Sequence, residues 1–314
     1  AVKQLPMVND IVRSFIGSTT ERSLRSIALA SSVRASERQF PGVYRLLIEA
    51  ANILDVKELP ELYVSQNPFL NAGAMGVEHP FITLNSSMLS VLSEEELLAV
   101  IGHELGHIAS GHGLYKTLLW MLVNFASGII QFPLGQAALM AIITALREWD
   151  RKSELSADRA GLLVVQDVNP SLNLLMKLAG GAQTGEMNLS ELFVQADDYE
   201  RGKDILDSVY KILNSIGSSH PFPIVRLKEI KNWHAGGEYE RIMSGSYRKR
   251  GQGDRFDFSA EAERVKASYE EEMKRSHDPL FETMNRVGEV LKQAGDQAGK
   301  QMEEFFKNIF RGNS

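Results

Sequence analysis

His103 and His107 stand four residues apart, and Glu104 directly follows the first of them. On a helix, that spacing puts both imidazoles on one face, one turn apart, where they can grip a single ion. Glu104 then lies near enough to reach a water at that ion without ligating it. The pattern is H-E-x-x-H, with His103 and His107 as candidate zinc ligands and Glu104 as candidate general base. The chain has seven histidines in 314 residues, and chance would produce this pattern in roughly one such chain in a hundred. The alternative is a helix with two satisfied core histidines and a solvated glutamate. A second pair downstream weighs against it. Glu154 and Asp158 are also four apart, which makes Glu154 the candidate third ligand and Asp158 the carboxylate behind it. There is no cysteine, so disulfides and thiolate ligation are excluded, and any metal must be held by His, Asp or Glu. The expected cofactor is one zinc ion per chain.

A third cluster follows in Ser218-Ser-His-Pro-Phe-Pro-Ile-Val-Arg226. Pro221 and Pro223 hold His220 in extended backbone, and a helix is expected from about Pro223 with Arg226 in its first turns. A histidine and an arginine presented from a rigid turn can bind a carbonyl or a developing oxyanion, so both are candidate catalytic residues. A histidine that merely caps a loop is the alternative.

These groups need elements to position them. Ser93 followed by Glu96 is a capping-box start. Leu97, Leu98, Val100, Ile101, Leu105 and Ile108 then recur at helical spacing, so the segment carrying the two histidines is expected to be a largely buried helix. Upstream, Val43, Leu46, Leu47, Ala50, Ile53 and Leu54 predict an amphipathic helix with Pro41 in its first turn, and Leu62–Ser65 reads as a short strand. Asn71-Ala-Gly-Ala-Met-Gly-Val77 is rich in small residues and precedes the strand-like Phe81–Leu84. A hairpin or meander is expected whose outer strand lets another backbone come close. Asn71, Ala72, Gly73 and Ala74 are therefore candidate substrate-binding residues, to which an extended peptide could add as a further strand. A weak edge strand that serves no partner is the other reading.

Thr117 to Leu146 is a run of 30 residues without a charge. Gly128, Pro133 and Gly135 divide it into two apolar segments of roughly 15 residues, each short for a bilayer span of about 20. One span would place His103 and Glu154 on opposite sides of a membrane, which a shared ion forbids. The expectation is a helical hairpin over 117–146, either buried against the protein or dipping into a membrane. Further helices are expected at about 171–182 and 189–215. The Arg248-Lys-Arg250 and Gly251-Gln-Gly253 stretch reads as a boundary. Beyond it, Met284, Val287, Leu291, Ala294, Ala298, Met302, Phe305 and Ile309 give a heptad-like stripe. It could form a coiled-coil arm with self-association, a docked helix or a membrane surface helix.

The division expected is an N-terminal helical segment 1–35, a catalytic domain 36–250 and a charged amphipathic helical tail 251–314. The fold class expected is α+β, mostly helical, with a small edge sheet. A net charge of −6 argues against nucleic acid as a partner. No signal peptide is legible, and the compartment stays open.

The spacing excludes one class of zinc enzyme. Metzincins follow H-E-x-x-H-x-x-G-x-x-H, which would need glycine at 110 and histidine at 113, where Ser110 and Gly113 stand. His112 lies about 180° around the helix from His103 and is not expected to be a ligand. A distant glutamate ligand is the gluzincin arrangement. His103-Glu-Leu-Gly-His107, the long apolar insertion, Glu154-x-x-x-Asp158, Ser219-His-Pro with Arg226, and the Asn71-Ala-Gly-Ala segment together resemble the family of the HtpX heat-shock protease and the CAAX prenyl endoprotease, over about residues 36–235. The resemblance implies a zincin-like metallopeptidase core with zinc on His103, His107 and Glu154, Glu104 as base, and a protein or peptide substrate lying along the edge strand. A rival from another class is a scaffold or chaperone-like protein that keeps an idle metal site and acts through its C-terminal helix. An intact Glu104 favours the enzyme, because an idle site has no need of the base.

Overall fold

The structure is a computed structural model, and it describes residues 21–113, 116, 119, 133–201 and 222–247. Its contacts group into two units. One holds Ala1–Trp120, Glu148–Arg201 and Gly217–Tyr247, and the other Met121–Arg147, Gly202–Ile216 and Arg248–Ser314. Within the second, the only described residues belong to the first half of one long helix.

Among the described residues, the first elements of the first unit are α1 (Glu21–Ser31) and the two-residue strand β1 (Val33–Arg34). Pro41 then starts α2 (Pro41–Ile53), where its missing N–H costs nothing and its ring presets the helical φ. The strands β2 (Glu61–Ser65), β3 (Ala72–Met75) and β4 (Phe81–Asn85) follow, then the short α3 (Ser86–Val91) and the central α4 (Glu94–Ala109). The sheet order is β1-β2-β4-β3. β2 and β4 run parallel, with Leu62 opposite Ile82, and β3 returns antiparallel to β4, with Gly73 opposite Thr83. β3 therefore forms one edge of the sheet among the described strands, and β1 the other.

Alternation along the strands sends successive side chains to opposite faces. Leu62, Val64, Ile82 and Leu84 join Val43, Leu46 and Leu47 of α2 and Leu97, Leu98, Ile101 and Leu105 of α4 in the main core. Each such fully buried side chain stabilises the fold by about 1.5–3 kcal/mol. On the other face Tyr63 and Phe81 meet edge to face at 5.7 Å and cover Ala28 of α1. Within the expected N-terminal helical segment 1–35, residues 21–34 thus contribute a covering helix and a strand to this sheet.

Beyond α4 lies α5 (Pro133–Val165), a single helix of 33 residues. The second half of the run expected to be an apolar hairpin is continuous with the helix that carries Glu154 and Asp158. Apart from Leu119, the first half, with Gly128, lies outside the described residues. Among the described residues, no helix is long and apolar enough to cross a membrane. Then come α6 (Val168–Gly180), a 3₁₀ turn (Thr184–Glu186), α7 (Leu189–Arg201), α8 (Pro223–Ala235) and α9 (Glu238–Met243). Leu172 and Leu175 of α6, Leu227 and Ile230 of α8 and Leu162 of α5 make a second core. The chain is a mostly helical α+β protein. His220 and the tail 251–314, with its expected heptad stripe, lie outside the described residues.

Candidate metal centre

α4 starts as its sequence requires. The Ser93 hydroxyl accepts the Glu96 N–H at 3.3 Å, and the Glu96 carboxylate accepts the Ser93 N–H at 2.8 Å. Lys177 of α6 also binds Glu96, at 2.7 Å. The helix is buried from Glu96 through His107.

α5 crosses α4 at very close range, and small residues make that possible. A Cβ on Gly106 would stand 2.7 Å from Cβ of Ala160, and one on Gly161 would stand 2.7 Å from the Ala99 carbonyl oxygen. Gly102 faces Val164 in the same way. This contact sets Glu154 and Asp158, one turn apart on α5, against His103 and His107, one turn apart on α4. The glycines do not announce the crossing in the sequence, because a glycine inside a helix says only that space is short.

The candidate ligand atoms converge. Nε2 of His103 and Nε2 of His107 are 3.1 Å apart. Glu154 places Oε2 3.5 Å from His103 Nε2 and Oε1 3.4 Å from His107 Nε2. Among the described residues, these three form the group that could hold a metal ion. A tetrahedral zinc site with bonds of about 2.0–2.1 Å has ligand-to-ligand edges of about 3.3 Å. The two-nitrogen, one-oxygen donor set and its spacing both fit zinc.

Hydrogen bonds behind the ligands fix their rings. His103 Nδ1–H donates to Asp158 Oδ1 at 2.9 Å, which leaves Nε2 as the ligand atom. Asp158 in turn accepts Nε–H and Nη2–H of Arg226, at 2.8 and 2.6 Å. His107 Nδ1 lies 2.9 Å from Nδ1 of His112, whose ring stacks edge-on against Trp149. His112 is therefore a neighbour of a candidate ligand, something its angular position on an ideal helix does not reveal. Lys116 Nζ reaches Glu154 Oε1 at 2.5 Å and Asp150 at 3.1 Å.

Protons balance these charges in the metal-free chain. Burial alone would lower His103. Its hydrogen bonds to Asp158 and Glu154 outweigh that effect and push the imidazole up to about 9. Asp158 is also buried, yet the charge and hydrogen bonds of Arg226 hold it down to about 2. Burial drives His107 well below its usual value. Burial opposes the charge on Lys116, but Glu154 and Asp150 raise it.

Glu104 is almost wholly inaccessible. One carboxylate oxygen accepts the Ala74 N–H at 2.6 Å. β3, the expected substrate edge, thus lies directly beside the candidate base. Ala72, Gly73 and Ala74 are on it, and the Asn71 carbonyl accepts the Asn85 N–H at 3.0 Å just ahead of it.

Arg226, expected as a partner of the oxyanion, lies in the same cluster, with Nη1 3.4 Å from Glu154 Oε2. The residue is 4% exposed, and its guanidinium fork grips Asp158. The bidentate carboxylate pair satisfies two of its donor groups. Sequence reasoning also missed Glu21, whose buried carboxylate accepts backbone N–H groups from the β3–β4 turn.

Comparison with known proteins agrees with this centre. The model for peptidase family M48 matches residues 37–234. The chain is similar to the plastoglobule-localized metallopeptidase 48, chloroplastic, of Arabidopsis thaliana, at 35% identity over 79% of this chain and 73% of that protein. It is 28% identical to a protease HtpX homolog of Helicobacter pylori, over 43% of this chain and 42% of that protein. A protease HtpX homolog of Pelotomaculum thermopropionicum is 27% identical, over 54% of this chain and 71% of that protein. With a family model over most of its length and His103, His107 and Glu154 gathered at metal-binding distance, the chain belongs to peptidase family M48 as an HtpX-like metallopeptidase.

Proposed function

We propose that this chain is a zinc-dependent endopeptidase that hydrolyses peptide bonds in protein substrates, on a zincin-like core. The observation that carries the reading is the near-tetrahedral spacing of His103 Nε2, His107 Nε2 and the Glu154 carboxylate beside Glu104 and an edge strand. When bound, zinc would supply Lewis acidity toward the scissile carbonyl and lower the pKa of water at the site toward about 7.

The protein's own groups do the rest. A substrate in extended form adds to β3, which orients its scissile bond over Glu104. The Ala74 N–H fixes one oxygen of the Glu104 carboxylate. Glu104 takes the proton of the attacking water and later gives it to the leaving amine. Asp158 orients His103, and Arg226 orients Asp158, so Arg226 is a positioning residue for the ligand set. His220, just ahead of α8, is the proposed donor to the oxyanion. Membrane contact through 117–146 is a separate proposal that rests on the uncharged run alone. Detergent-free fractionation tests it, and a fully soluble chain would contradict it.

Chelation is the direct test of zinc dependence. Stripping the chain with phenanthroline should stop casein hydrolysis, and zinc should restore it where magnesium does not. Hydrolysis by a chain shown to be zinc-free would refute the reading.

A further inference from the structure

Glu21 is the first described residue of α1, precedes the residues matched by the family model, and is not among the residues gathered at the metal centre. Its side chain is nonetheless buried, at 4% exposure. Three consecutive backbone N–H groups converge on it. Val77 and Glu78 donate to Oε2 at 2.9 and 3.2 Å, and His79 donates to Oε1 at 2.7 Å. These residues form the turn that joins β3 to β4. Charge-assisted bonds of this kind are about twice as strong as neutral ones.

The turn is shaped to receive that carboxylate. Gly76, at φ +94°, leads into it, and a Cβ there would stand 3.0 Å from Cδ of Glu21. The Gly76 carbonyl oxygen also lies 2.6 Å from where a Cβ on Gly113 would be, just past the end of α4. The turn thus packs closely against both Glu21 and the segment that follows the metal-binding helix.

β3 is four residues long, and among the described residues it pairs in the sheet with β4. Its other edge faces Glu104 through the Ala74 N–H. A strand so short takes part of its position from its turn. We propose that Glu21 is a positioning residue that locks the β3–β4 turn and thereby fixes the edge strand on which an extended peptide substrate is aligned. This rests on the peptidase reading above. Glu104 keeps its place on its own buried helix and stands to lose only the Ala74 N–H, so the effect falls on substrate alignment more than on the base.

The test uses the full zinc-loaded chain with Glu21→Ala and Glu21→Gln, the latter keeping the shape and one acceptor oxygen. Amide hydrogen exchange at 72–79 should speed up about tenfold or more in the alanine variant, and less in the glutamine variant, as expected for lost bonds to a charged group. With fluorescein-labelled casein, KM should rise about tenfold while kcat stays within about threefold, as for a loss of ground-state binding. Zinc content should stay at one per chain. Unchanged exchange at 72–79, or a fall in kcat with KM unmoved, would overturn the assignment. A wild type that binds zinc but leaves casein intact would refute the peptidase reading instead. The exchange comparison would then decide the clamp by itself: faster exchange at 72–79 supports it, and equal exchange refutes it.

Discussion

Arg226 grips Asp158 with two parallel hydrogen bonds, Nε to Oδ2 at 2.8 Å and Nη2 to Oδ1 at 2.6 Å, and the same Oδ1 accepts His103 Nδ1–H. One carboxylate thereby connects a buried cation to a candidate metal ligand. A lysine could supply the charge but not the fork. Arg226→Lys and Arg226→Ala should therefore weaken zinc binding by about 10–100-fold, while the zinc-saturated variants keep most of their kcat. Competition with a chromogenic chelator measures the first and casein turnover the second. If zinc binding is intact and kcat falls by about 10²–10³, Arg226 acts on the oxyanion instead.

His112 should matter in the same way from the other side of the centre. Its Nδ1 is 2.9 Å from Nδ1 of His107, so it orients the second ring. His112→Phe fills the space beside Trp149 but removes the hydrogen bond. Zinc affinity should drop by about tenfold or more. An unchanged dissociation constant would show that His107 needs no such partner.

The α4–α5 crossing gives a prediction in which two effects oppose each other. Glycine to alanine within a helix gains up to about 1 kcal/mol from propensity. At Gly161 the new methyl would meet the Ala99 carbonyl oxygen at 2.7 Å, and overpacking of that kind costs about 1–3 kcal/mol. The clash wins, because backbone cannot swing aside. Gly161→Ala should lower stability and loosen zinc binding, since it pushes Glu154 away from the histidines. A methyl added at Gly42 in α2 would meet nothing within 4 Å, so Gly42→Ala should raise stability. Thermal unfolding of both variants checks the pair of signs, and equal shifts would contradict the close-contact argument.

The pH dependence of the metal-free chain follows from His103 and Asp158. His103 is held up to about 9 against a usual 6.5. A raised pKa contributes stability that is present below the unfolded value and lost as pH rises through the folded one. Asp158, held down to about 2 against a usual 3.8, works in reverse and loses its contribution only as pH falls toward 2. The metal-free chain should therefore lose on the order of 2–3 kcal/mol between about pH 6.5 and pH 9. Urea denaturation of the chelator-treated chain measures it, with His103→Gln as reference. Equal slopes in wild type and variant would show that His103 carries no raised pKa.

Much of this centre is legible in the sequence because its chemistry is local there. The capping box at Ser93, the one-turn spacing of His103 and His107, and that of Glu154 and Asp158 each follow from helical geometry. Pro41 and Pro223 likewise mark the first turns of α2 and α8. What cannot be read depends on contacts between distant segments. Nothing around Glu21 says that its carboxylate closes a turn at 77–79, and nothing around Arg226 says that Asp158 takes its fork. Extending α4 as an ideal helix misplaces His112. The chain leaves helical geometry at Gly111, with φ +65°, and carries the imidazole back toward His107. The parallel pairing of β2 with β4 is similar: the strands are visible, but the crossing that leaves β3 at the edge is a tertiary outcome.

The central claim is that Glu104 moves protons for a zinc ion held by His103, His107 and Glu154. Glu104→Gln keeps the shape of the side chain and can still accept the Ala74 N–H, but it cannot take a proton. The decisive measurement is zinc content and casein hydrolysis on that one variant. The account predicts one zinc per chain, as in wild type, with hydrolysis reduced by about 10²–10⁴. A Glu104→Gln chain that binds zinc and cleaves casein at the wild-type rate would contradict it.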